Sequence, residues 1–126
     1  MKKLLFIFLL IFSSQSFAEW KKIPQENAYD EIYVDLENIR ESDGYIFFWL
    51  LFNYPIPMDA KGIEFQSTVV YFQADCHLFR AKRLHFSAYS QLFGKGRELT
   101  KFENKEDWVY AKPGRYTYTV LKTVCD

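Results

Sequence analysis

The sequence is poor in the residues on which most catalytic and metal-binding chemistry depends. Its 126 residues include two Cys, two His, five Gly and four Pro. It has no net charge either, because 16 Lys and Arg balance 16 Asp and Glu, so there is no electrostatic footprint for a nucleic-acid partner. The longest uninterrupted apolar run, Leu4 to Phe12, is nine residues, half of the roughly 18–20 that a membrane-spanning helix needs. No His-Glu-x-x-His, Gly-x-Ser-x-Gly or Cys-x-x-Cys occurs, and no spacing of acids matches a calcium loop. The length excludes a two-domain enzyme. What is abundant is apolar and aromatic surface, 49% and 20% of the residues, which excludes a disordered chain and is enough to fill a core.

The first eighteen residues read as an export signal. Met1-Lys2-Lys3 is basic, Leu4 to Phe12 is apolar, and Ser16-Phe17-Ala18 puts small residues at −3 and −1 of a cut after Ala18. The expected mature protein, residues 19–126, is a single domain of 108 residues with a net charge of −2. No cysteine stands at the cut, so a lipid-anchored mature end is not expected. Export leads to an oxidising compartment, where an even pair of cysteines without Cys-x-x-Cys spacing reads as one structural disulfide, Cys76–Cys125.

Strand signals dominate the mature chain. Trp20–Ile23, Tyr29–Leu36, Tyr45–Tyr54, Glu64–Asp75 and His77–Tyr89 are rich in β-branched and aromatic residues. Pro24–Ala28, Ser42–Gly44, Pro55–Gly62 and Gly94–Gly96 separate them with turn-forming residues, and connections this short predict antiparallel neighbours. Asp35 to Arg40 reads as one helical turn capped by Asp35. Tyr45–Tyr54 is apolar on both faces, which predicts a central strand with a C-terminal helix or a second copy of the chain over its second face. From 108 to 126, propensity favours strand, while Pro113-Gly114 followed by Val120, Leu121 and Val124 fits a short helix.

Candidate chemistry is sparse. His77 and His85, eight residues apart on one predicted strand, would stand about 26 Å from each other and could not share an ion. Asp30, Glu31, Asp35, Glu37, Glu41 and Asp43 read as a solvated acidic edge, and Gly94-Lys95-Gly96-Arg97 as a hairpin turn. No nucleophile, base and orienting group can be assembled, so neither an enzyme nor a cofactor is expected. Charge, however, is unevenly distributed. Residues 19–75 carry a net −7, whereas 76–101 carry +5. If 77–89 and 97–102 pair, Arg80, Lys82, Arg83, Lys95, Arg97 and Lys101 form a candidate binding patch for acidic polypeptides or sulfated glycans.

Several elements, taken in order, resemble the surface-adhesin E family of small exported bacterial proteins. They are Trp20; Tyr33-Val34-Asp35, Ile39-Arg40 and Gly44; Trp49 with Asn53-Tyr54; Ser67, Tyr71 and Asp75-Cys76; Arg80; Gly94 and Gly96; Trp108-Val109-Tyr110 with Pro113-Gly114; and Val124-Cys125. The resemblance implies an α+β fold: an antiparallel sheet of five or six strands, a helix at the C-terminus on one face, and a Cys76–Cys125 disulfide. It also implies an adhesin-like, non-enzymatic protein of the cell surface or periplasm that engages host extracellular-matrix or serum proteins, and it allows a homodimer. The family's adhesin is lipid-anchored, and this chain departs from it at the expected cut. The alternative from the same residues is a periplasmic accessory or inhibitor protein bound to another envelope protein.

Overall fold

The computed structural model describes residues 19–25, 30–102 and 106–126. The export signal read over 1–18 lies outside the described residues, as does Tyr29. Among these residues eight strands and one α-helix follow in chain order: β1 (Trp20–Ile23), β2 (Glu31–Asp35), β3 (Arg40–Ser42), β4 (Tyr45–Ala60), β5 (Ile63–Asp75), β6 (Arg80–Tyr89), β7 (Glu98–Phe102), β8 (Val109–Tyr110) and α1 (Tyr116–Val124). All pairings are antiparallel, in the order β1-β2-β4-β5-β6-β7. The two short strands fill the remaining edges, β3 beside β4 at Tyr45–Phe47 and β8 beside β6 at Arg80–Ala81. The expected α+β fold is therefore present, with six strands on the main path and two accessory ones.

The core lies between one face of this sheet and α1. Phe48 and Leu50 of β4, Val70, Phe72 and Ala74 of β5, Ile32 and Val34 of β2, and Ala81 of β6 are all buried against Val120, Leu121 and Val124. Within α1 the buried positions Thr117, Val120, Leu121 and Val124 follow the 3–4 spacing of one helical face. A nine-residue helix is too short to hold its shape in water alone. Packing against the sheet therefore overrides the strand propensity of Tyr116–Val120, because a strand would send Val120 and Leu121 to opposite sides. The disulfide Cys76–Cys125 then ties the residue after β5 to the C-cap of α1.

Three local readings are corrected. The predicted break over Pro55–Gly62 is instead the outer half of β4, which runs to Ala60 before turning at Lys61-Gly62. Among the described residues pairing with β2 stops at Asn53, and a register shift between Asn53 and Met58 takes in Pro55 and Pro57. His77–Phe79 is a turn rather than strand, because Asp75 Oδ1 accepts the backbone N–H groups of His77 and Leu78, both at 3.1 Å. The turn capped by Asp35 is a 3-10 helix over Leu36–Asn38, and Arg40 already belongs to β3.

Candidate functional site

The sheet face opposite α1 has no second layer among the described residues. Register brings onto it the odd-numbered residues of β4, Tyr45 to Asn53, beside Ser67, Val69, Tyr71, Gln73 and Asp75 of β5. From β6 come Arg80, Lys82, His85, Ser87 and Tyr89, the phase being kept by a bulge at Leu84. Most of the aromatic side chains there are half-buried by one another. Trp49 and Tyr71 lie 4.5 Å apart between centroids, Phe47 and Tyr71 6.1 Å, and Tyr45 and Trp108 5.7 Å. The imidazole of His85 is parallel to Trp49 at 5.6 Å, and its Nε2 is enclosed without a hydrogen-bond partner among the described residues.

Cations are laid onto this aromatic floor. The Arg80 guanidinium stands 4.3 Å from the centre of the Trp108 ring and 5.8 Å from that of Tyr110. Lys82 Nζ lies 4.6 Å from the same Trp108 ring. Arg40, from β3, sits 5.5 Å from Phe47 and extends an Nη2 to 3.5 Å from the Tyr71 hydroxyl. Such contacts contribute about 0.5–2 kcal/mol each, the more so as water is excluded. Arg80 is also held by Asp75 Oδ2 at 3.2 Å. The backbone N–H of Leu78, with help from Arg80 and from the N–H of His77, holds the Asp75 carboxyl below its ordinary range against the opposing effect of burial. Arg40 and Lys82 have no carboxylate partner among the described residues, so their charge faces outward.

The six cations singled out along the sequence are distributed by the fold. Arg80 and Lys82 share the uncovered face. Arg83, opposite Phe72, points to the helix side and donates from Nε to Glu106 at 2.9 Å. Lys95 and Arg97 stand in the β6–β7 turn, and Lys101 lies on β7 opposite Ser87. Arg40 was missed because it sits within an acidic segment. Trp108 carried no charge signal at all, and only its place in the resemblance marked it.

The other end of the face is closed by the turn Leu92–Gly94, which folds back over the sheet. Phe93 N donates to Asn53 Oδ1 at 2.8 Å, Gly94 N donates to Ser67 Oγ at 2.9 Å, and Ser67 Oγ donates to the Gln91 carbonyl at 2.6 Å. Asn53 and Ser67 are both fully buried. Ser67 is therefore a clamp on the turn. Gly94, at φ +68°, approaches so closely that a Cβ would stand 3.2 Å from Val69 Cγ2. The same face carries a groove of about 560 Å³ whose lining includes Trp20, Trp49, Tyr89 and Lys101.

A helix-backed antiparallel sheet, stapled by one disulfide and presenting a cation-edged aromatic face, defines a binding domain. The model of the family Surface-adhesin protein E matches residues 20–126, and the chain belongs to that family. Solved structures of Haemophilus influenzae protein E share its fold. The selenomethionine form is 15% identical, covers 88% of both chains and superposes with a TM-score of 0.67. Crystal form II is 16% identical, covers 88% of this chain and 90% of that one, and gives 0.66. No curated protein matches the chain in sequence. Among the described residues no helix is long and apolar enough to cross a membrane.

Proposed function

We propose that this protein is exported, that it acts as an adhesin-like binding protein at the cell surface, and that it holds a host protein or glycan on the uncovered sheet face. The observation that carries the reading is the cation lattice on that face. Among the described residues Arg40 and Lys82 have no carboxylate partner, and Arg80 braces the aromatic floor between them. Such an arrangement suits an acidic polypeptide or a sulfated glycan, for which flat apolar surface supplies contact area and exposed cations supply steering. The remaining cations of the 76–101 segment, Arg83, Lys95, Arg97 and Lys101, would act at longer range as part of the same field.

The test is a solid-phase binding assay against immobilised extracellular-matrix and serum proteins and against heparin. Wild-type binding should fall steeply between 50 and 300 mM NaCl, roughly the range over which exposed charges become screened. The double variant Arg40→Glu/Lys82→Glu should lose about tenfold or more in affinity. Binding that ignores both salt and charge reversal would remove this face from the argument. Protease shaving of intact cells tests the surface location: full protection with recovery in the periplasm would refute it.

A further inference from the structure

The groove lined by Trp20, Trp49 and Tyr89 differs in chemistry from the cation lattice. Its walls are these aromatic rings; the buried Asp35, whose carboxylate accepts from Glu37 N and Asn38 Nδ2, also lines it, and its exposed rim carries Glu98 and Lys101. Leu99 and Thr100 separate these two on β7, and the register shift there sets them opposite Tyr89 and Ser87 respectively, which share one face of β6. Neither makes an ion pair or a side-chain hydrogen bond among the described residues, and the same holds for the Ser87 hydroxyl. One strong acceptor, one strong donor and one hydroxyl thus stand unused beside flat aromatic surface, with no net charge between them.

A lone anion or cation gains nothing from a rim that holds both signs. A pyranose ring matches it better. Each sugar hydroxyl both donates and accepts, so neighbouring hydroxyls are served by an acid and an amine side by side. The C–H face of the ring packs on indole or phenol, whose faces carry negative potential. The volume falls within the roughly 300–1,000 Å³ typical of small-ligand sites, enough for the end of an oligosaccharide rather than a macromolecular surface. We propose that this groove binds the terminal sugar of a neutral glycan, with Trp20, Trp49 and Tyr89 as stacking surfaces and Glu98 and Lys101 as hydroxyl partners. The inference rests on the adhesin-like reading only for where such a glycan would be met.

The test is an array of uncharged oligosaccharides ending in hexose or N-acetylhexosamine, probed with the oxidised protein in 0.5 M NaCl, where contacts of the cation lattice are suppressed. Retention of at least one neutral glycan is expected. Glu98→Ala and Lys101→Ala, both exposed and both checked for an unchanged melting temperature, should each weaken it about tenfold. Arg40→Glu/Lys82→Glu should leave it intact. No neutral glycan retained, retention of charged glycans only, or retention unchanged in both rim variants would overturn the proposal. So would a dimer, seen by sedimentation, that the rim variants dissociate, since the groove would then seat a second copy. Salt-sensitive binding lost while sugar binding persists would refute the proposed function alone, and the converse would refute this inference alone.

Discussion

Replacing Ser67 by Ala removes a single oxygen, yet that oxygen closes two hydrogen bonds at once. It accepts from Gly94 N at 2.9 Å and donates to the Gln91 carbonyl at 2.6 Å, at a position with no solvent exposure. The substitution therefore leaves a backbone donor and a backbone acceptor of the Leu92–Gly94 turn facing a methyl group. Two ordinary hydrogen bonds amount to about 1 kcal/mol each, and a buried group left without a partner costs about 1–3 kcal/mol. Gln91 is exposed, so its carbonyl can turn to water, whereas Gly94 N is held over Val69. A loss of about 2–4 kcal/mol follows, read as a lower urea midpoint with an unchanged slope. Ser90→Ala is the control, since among the described residues Ser90 Oγ accepts only from Arg97 N and in an exposed setting. It should cost less than about 1 kcal/mol. If Ser67→Ala costs no more than Ser90→Ala, the turn is not clamped from below and the reasoning fails.

Three further outcomes are expected. Reducing the Cys76–Cys125 bridge, which closes 49 residues of chain, should cost about 4 kcal/mol and lower the melting temperature by on the order of 15–20 °C in calorimetry. A shift under about 5 °C would contradict this. Leu121→Ala, at a fully buried position of α1, should cost about 3 kcal/mol in chemical denaturation, and a loss below about 1 kcal/mol would mean that the helix is not packed as described. Asp75 has its carboxyl lowered in the folded state, so its stabilising contribution is present above about pH 4 and is lost as pH falls through the lowered value. The melting temperature of Asp75→Asn should accordingly fall less steeply than that of wild type between about pH 4 and pH 2; parallel curves would refute the assignment.

Much of this architecture is legible in the residues, and the failures have identifiable causes. Even and odd positions of Tyr45–Tyr54 are both apolar because one set meets α1 and the other forms the aromatic floor. The sequence pattern marked two apolar faces, but not that the second is half-buried by its own rings and by Trp108, sixty-three residues from Tyr45. Pro55 and Pro57 read as a break because proline removes a ladder donor, which costs little where a register shift already interrupts the ladder. The side chain of Asp75 ends one strand and turns His77–Phe79, a role that composition does not reveal. The candidate patch scattered for a simple reason: Lys82 and Arg83 are neighbours on a strand, and neighbours on a strand face opposite ways. Charge counted along the chain cannot anticipate that, nor can it bring Arg40 across from an acidic segment.

The outer half of β4 has an implication for a protein whose role is to stick to others. A long edge with open N–H and C=O groups invites any passing strand, including one from an identical molecule. Pro55 and Pro57 have no backbone N–H to offer along that stretch, and the register shift between Asn53 and Met58 interrupts a flat template there. Backbone pairing, which reads no sequence, is thereby discouraged, and on the function proposed above attachment would fall to the side chains of the sheet face. On that function the molecule would adhere without polymerising, and what it adheres to would be decided by chemistry that individual substitutions can change.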